Sequence, residues 1–427
     1  MRRPIVWWAT AVGLAAAGSV AAQQADTTLT VVSLDEAVHR ALAVQPAMVQ
    51  ARGDLRNASA GLRSAYGAFL PTVSISGVAS RGNVGRIDGA TGRPIPPEYS
   101  FTAGYGANLM LFAGLDRVYE RAAAAATREA ADAGTVDQRF QVTLQTKQLY
   151  YDALARQELV RVTDAQVRRA RQQLQIAVDK LRAGSATRSD SLRSTVDLGN
   201  ARLAHLQALA ALASAEANLG RQIGLDIPVR ALRDSALPSP PDTVGLRAEA
   251  LSRAPAVERA TAEARAASSQ LSAARSQYLP TVTMAFSDNY QGSDPPLERL
   301  WTWRFGLSWT VFNGFNREQQ QVSASAQRDL AQARAADARR GVSAQLTQQL
   351  ATLATAYAQI DIAQDNVAAA TEDLRVQQER YRVGAGTILE LLTSQENLTQ
   401  AEVSRIQTIF NYVLARAQLE ALVGRAL

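Results

Sequence analysis

The side chains of this 427-residue chain that could do chemistry are mainly carboxylates and one phenol. Asp152, Asp190 and Glu390 could act as general acids or bases, and the hydroxyl of Tyr381 could donate a hydrogen bond to a carboxylate. The chain has no cysteine and only two histidines, which excludes disulfides, thiolate metal sites and a lipid-acylated N-terminal cysteine. No nucleophile constellation or phosphate-binding loop accompanies the acidic residues. We therefore expect neither an enzyme nor a bound cofactor or metal.

Two of these carboxylates occupy matched places in a duplicated stretch. The sequence LRAGSATRSDSL at 181–192 corresponds to YRVGAGTILELL at 381–392, 200 residues later. The glycine of each copy ends a helical run, because glycine adopts the left-handed conformation at a helix C-terminus at little energetic cost. The threonine can cap the next helix, with the acidic residue three positions on completing a capping box. The corresponding pairs are Gly184 and Gly384, Thr187 and Thr387, and Asp190 and Glu390.

Long helices must lead into and out of these turns. Residues 298–427 contain no proline, and neither does the segment from Leu115 to Leu181. From Leu346 to Tyr381, mostly apolar residues recur in alternating steps of 4 and 3, the 3.5-residue period of a coiled-coil seam. We predict helices over 115–181, 187–223, 315–382 and 388–423. A helix of about 67 residues spans roughly 100 Å, far more than an ordinary globular domain uses.

Four segments alternate between apolar and polar residues, and they predict strands at about 72–80, 101–112, 281–287 and 300–312. One face is apolar and the other carries small polar residues, which is the pattern of a membrane β-barrel. A soluble sandwich would also alternate, but the tryptophans on one face of the fourth strand favour a lipid interface. The aromatic residues expected to face lipid are Phe101, Tyr105, Trp301, Trp303 and Trp309.

The elements occur in two tandem repeats, 33–233 and 242–427, each reading helix, strand, strand, long helix, helix. Matching segments such as FLP and YLP before the strands, and LFAG and VFNG after them, mark the duplication. Residues 1–22 read as a secretory signal peptide, with two arginines, an apolar run and small residues before a cleavage site. The net charge of +6 is spread over helices with both signs interleaved, so we expect no nucleic-acid partner.

The fold class predicted is mainly α with membrane β. Four strands per chain cannot close a barrel, because about eight strands are the practical minimum. Several chains must therefore contribute, and three would give a 12-stranded barrel continued by a tube of helices.

These features together resemble the TolC family of outer-membrane efflux proteins. The resemblance covers residues 33–425 and is carried by the two repeats and, above all, by RAGSATRSDSL and YRVGAGTILELLTSQENLTQAE. It implies a homotrimer with a 12-stranded outer-membrane barrel on a periplasmic helical tunnel, in a Gram-negative bacterium. It also implies two partners, a periplasmic adaptor protein and an inner-membrane transporter. The chain would then be the exit duct of a tripartite efflux or type I secretion system.

The resemblance also implies roles for the turns, which form the periplasmic mouth in this family. Asp190 and Tyr381 match positions that tie neighbouring helices together and hold the mouth shut, and Glu390 matches a ring of carboxylates in the lumen. The sequence departs from the family at Gly386, where an arginine tie is known, and at Thr393, where a second acidic ring would lie. The expected adaptor contacts are Gly184, Ser185, Thr187, Gly384, Gly386 and Thr387.

One further reading is a secreted coiled-coil adhesin or scaffold without a channel. It explains the long helices and the leader, but it does not explain four alternating strands at matched positions. The residues that would line a duct are generic polar ones, so the sequence identifies neither the exported substrate nor the class of pump.

Overall fold

The computed structural model describes residues 30–81, 86–87, 90–92, 94–95, 99–233, 239–242, 245–293 and 296–427. The predicted signal peptide lies outside these residues. The first repeat, together with the three residues before it, contains β1 (Thr30–Val32), α1 (Leu34–Val44), α2 (Pro46–Gly67), β2 (Thr72–Arg81), β3 (Arg86–Ile87), β4 (Pro94–Ile95), β5 (Tyr99–Ala113), α3 (Asp116–Arg182), α4 (Arg188–Gln222) and β6 (Val229–Ala231). The second contains α5 (Leu246–Arg253), α6 (Pro255–Ser276), β7 (Thr281–Gly292), β8 (Glu298–Ser308), α7 (Asn316–Val383) and α8 (Ile388–Val423).

Local sequence explains where the helices begin. Ser33 caps α1 by accepting from the backbone N–H of Glu36 at 3.3 Å. Proline stands at the first position of both α2 and α6, where a missing N–H costs nothing. Helices α3 and α7 then run without interruption for 67 and 68 residues, because no proline breaks them. Among the described residues, no helix combines the length and the hydropathy that crossing a membrane requires.

The strands of both repeats form one antiparallel sheet in the order β2-β5-β7-β8. The sheet joins the repeats through β5 and β7, whose pairing runs from Phe101 opposite Gly292 to Ala113 opposite Thr281. A bulge between Met110 and Phe112 shifts this register. Strands β2 and β8 are the two edges, and each has one partner strand among the described residues.

Two of the four strands end within one residue of the predicted position, and the other two, β7 and β8, do not. Strand β7 continues to Gly292, five residues beyond the predicted end, because β8 pairs with it as far as Gln291. Strand β8 ends at Ser308 instead of Phe312. Ser308 lies opposite Thr281, the first residue of β7, so no partner residue remains beyond it. Trp309 therefore follows the strand and is not part of it.

Some short strands have no sequence prediction. Strands β1 and β6 form a parallel pair that brings the two ends of the first repeat together. The hydroxyl of the buried Tyr150 in α3 donates to the carbonyl of Leu232 at 2.7 Å and so ties this pair to the long helix. Strands β3 and β4 form a small antiparallel hairpin between β2 and β5.

The core between the helices consists of separate apolar clusters along their length. Along the predicted seam of α7, the residues spaced by seven, Leu346, Leu353, Ile360, Leu374 and Tyr381, are buried against α8 and neighbouring helices. Of the other seam positions, Tyr357, Gln364 and Gln378 remain exposed, whereas Leu350 is half-buried. The single chain therefore covers only one side of its own seam.

Candidate functional site

The turn between α3 and α4 is built as the sequence predicts. Gly184 has φ +71°, a conformation that side chains disfavour. The Thr187 side chain accepts from the N–H of Asp190 at 3.2 Å, and the Asp190 carboxylate accepts from the N–H of Thr187 at 3.0 Å. This reciprocal capping box starts α4. Gly184, Ser185 and Thr187 are all exposed at the turn.

The turn between α7 and α8 repeats this geometry. Gly384 has φ +83°, and Thr387 forms the same capping box with Glu390, at 3.2 and 3.1 Å. Gly386 lies closely against its surroundings, because a Cβ there would stand 3.1 Å from the Cβ of Arg380 and 3.3 Å from Oε2 of Glu390. The close approach gives a local reason for glycine at this position.

Tyr381 is 5% exposed and belongs to an apolar cluster with Leu374, Ile388, Leu391 and Leu398. Its hydroxyl has no hydrogen-bond partner within the described part of the chain. Burial, together with the nearby charge of Asp190, raises the pKa of the Tyr381 hydroxyl. The phenol therefore stays protonated at neutral pH and remains available as a donor.

Of the three predicted gate residues, Asp190 and Tyr381 lie near each other, but the expected hydrogen bond between them does not form inside this chain. Asp190 is close enough to influence Tyr381, but its carboxylate is engaged by the N–H of Thr187. Glu390 is likewise engaged by its own capping box and lies 3.9 Å from the guanidinium of Arg380. Within this chain, both carboxylates therefore serve as helix caps.

Four of the five predicted lipid-facing aromatics share one side of the sheet. In the strand register, Tyr105 and Trp301 both lie opposite Asp288, and Trp303 lies opposite Phe286 with their ring centroids 4.8 Å apart. Phe101, Tyr105, Trp301 and Trp303 are between 41% and 59% exposed in the single chain. Trp309 is also exposed, although it lies beyond β8, and its indole N–H donates to the carbonyl of Tyr278 at 3.1 Å.

Sequence reasoning missed a polar cluster on this apolar side. The Asp288 carboxylate is fully buried and accepts from the Tyr105 hydroxyl at 2.9 Å and from the Arg299 guanidinium at 2.7 Å. Three strands, one from the first repeat and two from the second, are joined by these bonds. An acidic residue on the apolar face of a strand is the sequence signal that could have revealed the cluster.

Comparison with known proteins identifies the class of protein that this fold and these turns define. A model of a family described as outer membrane efflux protein matches residues 37–225 and 246–425, and the chain belongs to this family. The resemblance to the TolC family is thereby confirmed, as are the repeat architecture, the assignment to outer-membrane efflux and the location in the outer membrane.

Individual relatives agree with the family. Protein CyaE of Bordetella pertussis is 28% identical over 390 residues, which covers 86% of this chain and 79% of that protein. A probable efflux pump outer membrane protein, TtgC of Pseudomonas putida, is 24% identical over 405 residues, which cover 89% of this chain and 82% of that protein. The CmeC outer membrane channel of Campylobacter jejuni has the same fold, with a TM-score of 0.80 over 92% of this chain and 85% of that one, at 17% identity.

Proposed function

We propose that three copies of this chain form an exit duct, closed at rest by the helical turns. The duct would receive substrates from a periplasmic adaptor and an inner-membrane transporter, and would release them outside through a 12-stranded barrel. Family membership supports the efflux role. The trimer, the partners and the gate are the parts that this proposal adds.

The observation that carries the proposal is the open sheet. Its edges β2 and β8 each run for at least ten residues, and one side of each is unpaired in the part of the chain that the structure describes. Because the chain contributes four antiparallel strands, β8 of one copy and β2 of the next can continue the alternation. Three copies give 12 strands, an even number within the range of outer-membrane barrels. The exposed positions of the α7 seam support a matching contact between the helices of neighbouring copies.

The position of the turns supports their role as the periplasmic mouth. They lie at the ends of α3 and α7 opposite the sheet, roughly 100 Å away by the length of these helices. Apolar side chains beside the turns, Leu192, Val383 and Leu389, are 58–70% exposed. Exposed apolar side chains at an exposed turn suit a protein partner, which we propose is the adaptor.

The test is purification of the full chain from outer membranes, followed by reconstitution in planar lipid bilayers. We expect heat-modifiable trimers in detergent and discrete single-channel currents. Export should also return when the chain is supplied to a strain that lacks its own duct. Monomers in the soluble fraction that give no current would instead support the coiled-coil scaffold.

A further inference from the structure

A lysine at the first turn contacts the end of the second long helix. Lys180 lies in the last turn of α3, and Tyr381 lies in the last turn of α7. The ammonium of Lys180 donates a hydrogen bond to the main-chain carbonyl of Tyr381. It also lies 4.4 Å from the centroid of the tyrosine ring. One side chain of the first repeat thus contacts both the backbone and the ring of a residue 201 positions away.

The carbonyl and the ring of Tyr381 both attract the Lys180 ammonium electrostatically. The Tyr381 carbonyl is among the last of a 68-residue helix, where the backbone dipoles favour a cation. It also accepts from the N–H of Gly384 at 3.2 Å, which links the lysine to the turn itself. The ring presents its electron-rich face to the ammonium, and the ring is buried, so the attraction is less screened by water than at an exposed site.

The matching basic residue of the second repeat behaves differently. Arg380 corresponds to Lys180 at the 200-residue spacing. It donates to the carbonyl of Ala385 at 3.3 Å and to the side-chain oxygen of Gln377 at 3.1 Å, both within its own helical hairpin, which is formed by α7 and α8. Of this matched pair, only Lys180 connects the two hairpins. The Tyr381 hydroxyl has no partner in the described chain, so the polar contact between Tyr381 and α3 is made by the lysine, through the main-chain carbonyl.

We propose that Lys180 is a clasp that holds the second turn against the end of α3, and that this contact is released when the mouth opens. The proposal rests on the proposed exit duct. It predicts that closure depends on a cation at position 180 and does not require the Tyr381 hydroxyl.

The first experiment measures single-channel currents of trimers carrying Lys180→Met. Methionine keeps most of the side-chain volume and removes the charge and the donor, so the open fraction should rise at least several-fold. Lys180→Arg keeps a cation and should stay near wild type. The matched control is Arg182→Met, because Arg182 is exposed in the same turn and pairs only weakly with Asp179, at 3.7 Å. Unchanged gating in Lys180→Met, or an equal rise in Arg182→Met, would overturn the clasp.

A second measurement does not depend on current. Because the chain has no cysteine, Ile388→Cys places a single thiol in the cluster beneath Tyr381, where Ile388 is 4% exposed. In outer-membrane trimers, Lys180→Met should speed maleimide labelling of this thiol several-fold, whereas Arg182→Met should not. Labelling that stays slow would refute the clasp even in trimers that conduct. Trimers that label as expected but give no current would instead refute the duct. If Lys180→Met and Lys180→Gln both fail to assemble, Lys180 is a folding residue and the proposal is wrong.

Discussion

At the scale of single residues, the duplication provides matched polar positions with different hydrogen bonds. Ser394 in α8 donates to the carboxylate of Asp373 in α7 at 2.6 Å. The corresponding residues of the first repeat, Ser194 and Gln173, are both buried. The hydroxyl of Ser194 and the side-chain nitrogen of Gln173 have no partner in the described chain. The second hairpin therefore has a charge-assisted bond where the first has none.

This difference predicts opposite outcomes for one substitution. Ser394→Ala should destabilise the protein by about 1–2 kcal/mol per chain, because the bond that it removes reaches a charged acceptor. Ser194→Ala should be neutral or slightly stabilising, because no bond is lost and a buried hydroxyl disappears. Thermal unfolding of detergent-solubilised protein, followed by circular dichroism, measures both. Equal losses for the two variants would show that Ser194 has a partner in the assembled protein.

The glycine of the second turn carries a second residue-scale prediction. A β-branched side chain strongly disfavours the φ of +83° at Gly384, so Gly384→Val should distort the turn and abolish export while trimers persist. Ala385→Val is the control, since it adds similar bulk to the same turn without a positive φ. Drug resistance or secretion in a strain that relies on this protein measures export. Normal export by Gly384→Val would exclude a strict need for this turn geometry.

At the scale of elements, the connection between the sheet and a long helix also has the same contacts in both repeats, at the start of α3 and of α7. Arg317, the second residue of α7, donates to the carbonyls of Thr310 and Val311, each at 2.7 Å. Its guanidinium lies 4.6 Å from the ring centroid of Tyr278, the aromatic residue shortly before β7. Arg117, the second residue of α3, similarly donates to Ala68 and Met110 and lies over the ring of Phe69. Each arginine binds carbonyls at the point where the sheet ends.

This connection predicts that lysine cannot replace arginine at position 317. A planar guanidinium bonds two carbonyls and stacks on the ring together, whereas an ammonium keeps only the charge. Arg317→Lys should lower stability by about 1–3 kcal/mol and reduce the yield of trimers. Arg340→Lys, at an exposed position in the same helix, should have no effect. The readout is the temperature at which trimers dissociate in detergent, and wild-type behaviour of Arg317→Lys would mean that charge alone suffices.

The same elements show what sequence could and could not predict. The long helices lie within one residue of the ends expected from proline-free runs and glycine turns, because these signals are local. The end of β8 was misplaced, since alternation continues through Val311 while pairing stops at Ser308 for lack of a partner residue. No local sequence pattern predicted the contact of Lys180 with Tyr381, because the two residues are 201 positions apart. The three-residue strands β1 and β6 are too short to show alternation.

At the scale of the whole molecule, the sheet has two chemically different sides. The side with Trp303 also carries Ile75 and Phe305, which are exposed in the single chain, and Leu109 and Phe286, which are half-buried. The opposite side carries small polar residues, and there Thr302 and Ser287 share a hydrogen bond of 2.8 Å. In a closed barrel the apolar side must face lipid and the polar side must face the lumen.

This facing predicts the effect of one arginine placed on either side of β8. Trp303 lies at the middle of the strand, so Trp303→Arg would place a charge near the centre of the bilayer, at a cost of roughly 2–4 kcal/mol per chain. The penalty recurs in each copy, so we expect few trimers in outer-membrane fractions. Thr302→Arg is the matched control, because its polar side already accommodates Arg304 two residues on, and its assembly should remain near wild type. The measurement is the amount of heat-modifiable trimer in the outer membrane. If the two variants assemble equally, the assignment of the apolar side to lipid is wrong.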